Sequence, residues 1–115
     1  MTDQLLLRRT VIGGETAPDD YVVIWNEIRI GRIHRQPGLP PGRPDVAWGV
    51  NFPGRPQQPS HRGLAKDQEE AKRMVKLVWS AIRPTLTDDE IREARERQDY
   101  NDHHRPWNRP KHWRD

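Results

Sequence analysis

The chain contains no cysteine, which excludes disulfide bonds, a thiol nucleophile and cysteine-based zinc sites. It also lacks a long apolar run, since the N-terminal segment MTDQLLLRRT places only three consecutive leucines before two arginines. A signal peptide needs a longer apolar stretch, and a membrane span needs about 20 apolar residues. We therefore expect a cytoplasmic protein that does not associate with membranes.

Apolar residues are scarce, at 32% of the 115 residues, and charged residues make up the same fraction. A short chain of this composition has the length of one domain and cannot order all of it, so we expect a compact core of roughly 70–85 residues. Eleven prolines favour loops between short elements. The pattern predicts an N-terminal segment over residues 1–20 that could form a strand, a core domain over 21–83, a polar helix over 84–102 and a flexible basic tail over 103–115.

The segment with the most β-branched and aromatic residues is YVVIWNEIRIGRIHR, at residues 21–35. It predicts two strands around Asn26-Glu27, although this pair lacks the glycine of an ideal tight hairpin turn. Gly31 in the second strand allows a β-bulge or a close approach by a neighbouring strand.

Two further segments could extend this sheet. DVAWGVNF, at residues 45–52, alternates apolar and polar side chains and predicts a third strand, while residues 5–12 could add an N-terminal strand. The proline-rich segments 36–45 and 53–63 predict loops, because proline lacks the amide donor that a central strand needs.

A helix is predicted from Asp67 to about Arg83. Asp67 and Glu70 have the spacing of a capping box, and Pro84 ends the helix. An apolar stripe at helical spacing follows the cap: Ala71, Met74, Val75, Val78, Trp79 and Ile82.

Thr87 and Glu90 repeat the capping spacing and predict a second, polar helix over roughly residues 88–99. The predicted fold class is α+β: a three-stranded antiparallel sheet, with a fourth strand if the N-terminal segment joins it, packed by one amphipathic helix. The polar helix and the tail follow this core.

Positive charge is concentrated in one part of the chain. Residues 28–66 contain seven lysines and arginines against one acid, whereas residues 84–102 contain three arginines against seven acids. Such a distribution can steer an anionic partner, and it can equally be self-complementary within a dimer.

The basic segment and tail predict a nucleic-acid-associated accessory protein that binds DNA or RNA. Arginines give bidentate phosphate contacts, and tryptophans stack on unpaired bases. The predicted contact residues are Arg29, Arg32, Arg35, Arg43, Arg55, Arg62, Trp107, Arg109, Lys111 and Trp113. The competing interpretation is that the arginines form an ordinary charged solvent face and that the tail keeps the protein in solution.

A protein-interaction module is the second functional hypothesis, as a homodimer or as a small inhibitor from a mobile element. Alternation gives Val22 and Ile24 the same face as Ile28 and Ile30, beneath the helix. Three residues would then form an aromatic patch on the exposed face: Tyr21, Val23 and Trp25. The acidic helix over residues 88–99 would supply further contacts.

Catalytic and metal-binding patterns are weak. Ser60 and His61 are adjacent in a proline-rich loop, which does not by itself form a nucleophile–base pair. His103, His104 and His112 match no closed metal site, since their spacing is irregular and no cysteine is present. We therefore expect no enzyme activity, no metal and no cofactor.

The order GRIHR, DVAWGVNF and GLAKDQEEAKRMVKLVW resembles a family of small uncharacterised alphaproteobacterial proteins, over about residues 21–82. That resemblance implies a β-β-β-α fold and no particular activity. The layout is also similar to two nucleic-acid-binding domains. The double-stranded RNA-binding domain has three strands and then a helix with a KEAK-like start, as EEAK is here. The arm-type DNA-binding domain of tyrosine recombinases inserts its sheet into a groove, a use that Arg29 and Arg32 would fit.

Overall fold

The computed structural model describes residues 4–12 and 14–104. Five consecutive strands form one antiparallel meander, and two helices follow them. The strands are β1 (Leu5–Ile12), β2 (Glu15–Trp25), β3 (Ile28–Arg35), β4 (Val46–Val50) and β5 (Arg62–Ala65), and the helices are α1 (Gln68–Ile82) and α2 (Asp88–His104). The α+β class is confirmed and the N-terminal segment does join the sheet, but the sheet has five strands rather than the predicted three or four.

Three of these elements differ from the sequence prediction. β2 begins at Glu15 rather than at residue 21, and α2 continues to His104 rather than ending near residue 99. β5 lies where a loop was predicted and pairs Ala65 with Val46. Its four residues contain a glycine and are too few to show a period of two, so only the pairing with β4 identifies it as a strand.

The β2–β3 turn decides which residues face α1. Trp25 pairs directly with Ile28, which leaves a two-residue turn whose residues Asn26 and Glu27 have φ values of 50° and 65°. This left-handed geometry matches the twist of a hairpin and normally favours Asn-Gly. Because Trp25 lies opposite Ile28, the odd-numbered residues of β2 share the face of the buried Ile28.

The predicted aromatic patch on the exposed face is therefore wrong. Val23 is 0% exposed and Trp25 is 6% exposed, and both belong to the hydrophobic core. The Trp25 ring lies 5.2 Å from that of Trp79 on α1, and half-buried Tyr21 lies on the same face by alternation. The error follows from the turn length, since Val22 and Ile24 take the opposite face from Ile28.

The helix α1 confirms the predicted apolar stripe. Asp67 caps it by accepting a hydrogen bond from the backbone N–H of Glu70 at 2.8 Å. The Glu70 carboxylate accepts in turn from the backbone N–H of Lys66, one residue earlier than in a standard capping box. The buried stripe residues are Ala71, Val75, Trp79 and Ile82, which pack mainly on β4.

A β-bulge interrupts the pairing of β2 with β3. Val23 pairs with Gly31, but Ile24 pairs with Arg29, so Ile30 is the extra residue. Gly31 also allows the close approach that the sequence predicted, because a Cβ there would lie 2.3 Å from the carbonyl oxygen of Gly49. In a regular strand residues 29 and 32 would point to opposite faces, and the bulge brings both to the same one.

The helix α2 begins with the predicted capping box. Thr87 Oγ1 accepts from the backbone N–H of Glu90, and the Glu90 carboxylate accepts from the backbone N–H of Thr87. Leu86 and Ala94 are buried against the core, and Ile91 is partly buried. Within the described residues no helix is long and apolar enough to cross a membrane.

Candidate nucleic-acid interface

The face of the sheet opposite α1, called here the outer face, is basic. Arg8, Arg29, Arg32 and Arg62 lie on it, together with one acid, Asp20, among strand residues 5–10, 20–25, 28–34, 46–50 and 62–65. The register assigns the following residues to the outer face: Leu6, Arg8, Thr10, Asp20, Val22, Ile24, Arg29, Arg32, His34, Ala47, Gly49, Arg62 and Leu64.

A groove of about 530 Å³ lies on the outer face above β3, β4 and β5. We call it the outer groove. Ala47 and Gly49 form its floor on the central strand β4, and the loop after β4 contributes Gln57. Ala47 contributes only a methyl group, so a ligand can approach the sheet closely there, whereas the Gln57 amide lies over Gly49, with Nε2 3.3 Å from the position that a Cβ would take. Arg32 and Arg62 line opposite sides, on β3 and β5.

Asp20 fixes the position of Arg32. Its carboxylate accepts from Arg32 Nε at 3.0 Å and from Arg32 Nη2, and it also accepts from Thr10 Oγ1 at 2.9 Å. These bonds, chiefly those of Arg32, lower the pKa of Asp20 although burial acts in the opposite direction. Asp20 is only 8% exposed, whereas the Arg32 side chain is 54% exposed. A buried, ionised carboxylate therefore holds an exposed guanidinium in one orientation beside the groove.

Arg62 in the groove is available to a ligand, because it is exposed and forms no ion pair with any described carboxylate. His34 Nδ1 is buried and has no hydrogen-bond partner among the residues that the structure describes. Gln57 is held in place because its Nε2 donates to the carbonyl oxygen of Val50 at 3.0 Å. The groove thus combines two arginine cations with the side-chain amide of Gln57.

The remaining predicted arginines are not gathered at the groove. Arg29 lies on the outer face but pairs with Asp102 at 2.7 Å. Arg35 lies on the opposite face by alternation. Its Nη1 is 3.7 Å from Asp19 Oδ2, and its Nε is 3.7 Å from Asp45 Oδ2. Arg43 is exposed in the loop between β3 and β4.

Arg55 fastens α2 to the loop after β4 and is not part of the groove. Its Nε and Nη2 donate to the Glu90 carboxylate at 2.8 and 2.9 Å, and its Nη1 donates to Thr85 Oγ1 at 2.7 Å. The same contact lowers the pKa of Glu90 to about 2, with Arg55 as the main cause.

The predicted tail contacts lie outside the described residues: Trp107, Arg109, Lys111 and Trp113.

Sequence reasoning missed Arg8, His34, Gln57 and the anchoring role of Asp20. His34 follows Arg32 by two residues, so alternation alone could have placed the two on one face. Arg8 could have been included once the N-terminal segment was paired with β2. Gln57 and the groove itself could not be found, because they depend on β5.

The described residues contain no group of three or more histidine, aspartate or glutamate side chains that could hold a metal ion. Comparisons of the chain with protein-family models, curated proteins and solved structures find no match. The resemblances named from the sequence therefore stay predictions.

Proposed function

We propose that the chain binds single-stranded nucleic acid in the outer groove. The observation that supports this proposal is the placement of Arg32 and Arg62 on the two sides of a groove whose floor has only a methyl group at Ala47. Phosphate groups would contact the arginines, and an unpaired base would lie over Ala47 beside the Gln57 amide. Arginine planes and histidine can stack on splayed bases, while amides such as that of Gln57 bond to base edges.

The lining of the outer groove favours a single strand over a duplex. Proteins that read duplex DNA insert a convex element, a helix or a two-stranded ribbon, into a major groove about 12 Å wide. The outer groove is a shallow, open depression, and its lining residues belong to β3, β4, β5 and adjoining loops rather than to an α-helix that projects from the surface. A single strand can lay its bases on such a surface and keep its phosphates beside the arginines.

The first test is fluorescence anisotropy with labelled eight-nucleotide single strands of DNA and RNA, each also tested as a duplex, at two salt concentrations. We expect single strands to bind more tightly than duplexes, and the affinity to fall with salt by a slope of about 0.7 for each phosphate contact. Tighter binding of duplexes, or no binding of any oligonucleotide at low salt, would overturn the proposal.

Two substitutions separate the groove from general electrostatic attraction. Arg62→Ala should weaken binding about tenfold, the order expected for one charge-assisted hydrogen bond, and should reduce the salt slope by about one contact. Ala47→Leu keeps the charge but fills the floor, so it should weaken binding while leaving the salt slope unchanged. The matched control is Arg73→Ala, an exposed arginine on α1, which should bind as the wild type does. Equal losses for Arg62→Ala and Arg73→Ala would mean that the groove is not the site.

A further inference from the structure

We propose that the end of α2 is an autoinhibitory latch that covers Arg29 and is displaced when nucleic acid binds. This inference rests on the proposed function, because it concerns the regulation of the same outer face. The latch is defined as residues 95–102. Arg95, Gln98 and Asp102 recur at i, i+3 and i+7, so they form one polar stripe on the helix side that faces the β2–β3 hairpin.

Each residue of the stripe binds the hairpin. Arg95 Nη2 donates to Glu27 Oε1 at 2.6 Å, and Asp102 Oδ1 accepts from Arg29 Nη2 at 2.7 Å. Gln98 bridges the two, because its Nε2 donates to the Glu27 carbonyl while its Oε1 accepts from the Arg29 backbone N–H. The latch therefore accepts hydrogen bonds from both the side chain and the backbone N–H of Arg29.

The latch is held by polar contacts, whereas the first half of α2 also buries apolar side chains. Leu86, Ala94 and the Arg55–Glu90 pair anchor the first half to the core. By contrast, none of the described side chains from residue 95 to 102 is buried, and the ion pair to Arg29 joins side chains that are 45% and 34% exposed. Exposed ion pairs contribute little and are screened by salt, so this end can detach while the core stays folded.

A phosphate would compete directly with Asp102. Carboxylates and phosphates accept the same charge-assisted bonds from a guanidinium, so Asp102 occupies the position that a phosphate oxygen would take. Arg29 and Arg32 occupy successive outer-face positions on β3 because of the bulge, roughly 7 Å apart by strand geometry. Detachment would add Arg29 to the cations that line the groove, and it would move acidic side chains away from a polyanion.

The test compares Asp102→Asn with Glu96→Gln. Both remove one negative charge from α2, but the exposed Glu96 forms no ion pair within the described residues. Single-stranded oligonucleotide should bind the Asp102→Asn protein about threefold to fivefold more tightly than wild type, the change that corresponds to an exposed ion pair. Glu96→Gln should change the affinity by less than about twofold, because loss of a distant surface charge is largely screened.

Hydrogen exchange on the unmodified protein gives a second readout. Amides of residues 95–102 should exchange faster when oligonucleotide is bound, while those of α1 should not. Equal affinities of the two variants, together with unchanged exchange in residues 95–102, would overturn the latch and leave the groove proposal intact. If neither the wild type nor Asp102→Asn binds at low salt, the proposed function is wrong, and the latch proposal, which rests on it, is wrong as well. Binding by Asp102→Asn alone would support the latch.

Discussion

Replacing Gly31 by alanine tests the strand packing that organises the outer face. The added Cβ would lie 2.3 Å from the Gly49 carbonyl oxygen, whereas Cβ contacts shorter than 3.0 Å are essentially never found. The two strands would therefore have to move apart by about 0.7 Å, a distance at which a backbone hydrogen bond weakens substantially. The nearby bond from the Asn51 N–H to the Ile30 carbonyl, now 2.7 Å long, would be strained first.

Three contributions determine how much Gly31→Ala lowers the free energy of unfolding. Overpacking in a close-packed region destabilises by about 1–3 kcal/mol, and a weakened backbone hydrogen bond adds about 0.5–1.5 kcal/mol. The lower entropy of the unfolded chain with alanine offsets about 0.4–1 kcal/mol of this loss. We therefore expect Gly31→Ala to lower the free energy of unfolding by about 0.5–4 kcal/mol, with a midpoint of about 2 kcal/mol, which for a domain of this size lowers Tm by roughly 8 °C.

The assay is urea denaturation followed by tryptophan fluorescence and circular dichroism. Gly49→Ala is the matched control, since the nearest atom to its Cβ would be Gln57 Nε2 at 3.3 Å, a side-chain atom that needs to move by only a few tenths of an ångström. That variant should stay within about 0.5 kcal/mol of wild type, as most surface substitutions do. A Gly31→Ala protein as stable as Gly49→Ala would refute the close approach of β3 to β4 at Gly31, on which the packing of the outer face depends.

Two other predictions concern the helix ends. Arg55 lowers the pKa of Glu90 from 4.5 to about 2, so the stabilisation from this contact is present above the ordinary glutamate pKa and is lost as the pH falls through about 2. Glu90→Gln should therefore flatten the dependence of Tm on pH between about 4.5 and 2, and an unchanged dependence would contradict the assignment. Asp67→Ala removes the N-cap of α1 and should cost about 1 kcal/mol, measured by urea denaturation. A loss below about 0.3 kcal/mol would mean that water replaces the cap at no cost.

The strongly periodic parts of the fold could be predicted from the sequence. The α1 stripe, its Asp67 cap and the Thr87–Glu90 box depend on residues close together in the chain, and all three are present. A bulge or a close approach at Gly31 was also predicted, because a glycine inside a strand pattern points to one or the other, and the structure has a bulge at the adjacent Ile30 and a close approach of Gly31 to Gly49.

The face assignment of β2 could not be predicted, because it depends on the length of one turn. Asn26 and Glu27 form a two-residue turn without glycine, and a shift of one residue reverses every side chain of the strand. Glu27 tolerates its positive φ while Arg95 and Gln98, some seventy residues later in the chain, bind it. The sequence around Asn26 and Glu27 does not indicate these contacts with α2.

The candidate site was predictable only in part, since charge can be read from the sequence but pairing cannot. Arg32 and Arg55 look alike in the sequence, and both bind a carboxylate in the structure. Arg32 is presented at the groove by a buried partner on β2, whereas Arg55 ties α2 to a loop. The partners Asp20 and Glu90 lie 12 and 35 residues away, so only the fold distinguishes the two roles.

The central claim, that single-stranded nucleic acid binds in the outer groove, is tested most directly by amide chemical-shift mapping of the full chain during titration with a short single-stranded oligonucleotide. The account predicts the largest shifts at Arg32, Gly49 and Arg62, with the amides of the buried α1 face unchanged. Shifts confined to α1 or to residues 105–115, with the groove amides unmoved, would contradict it.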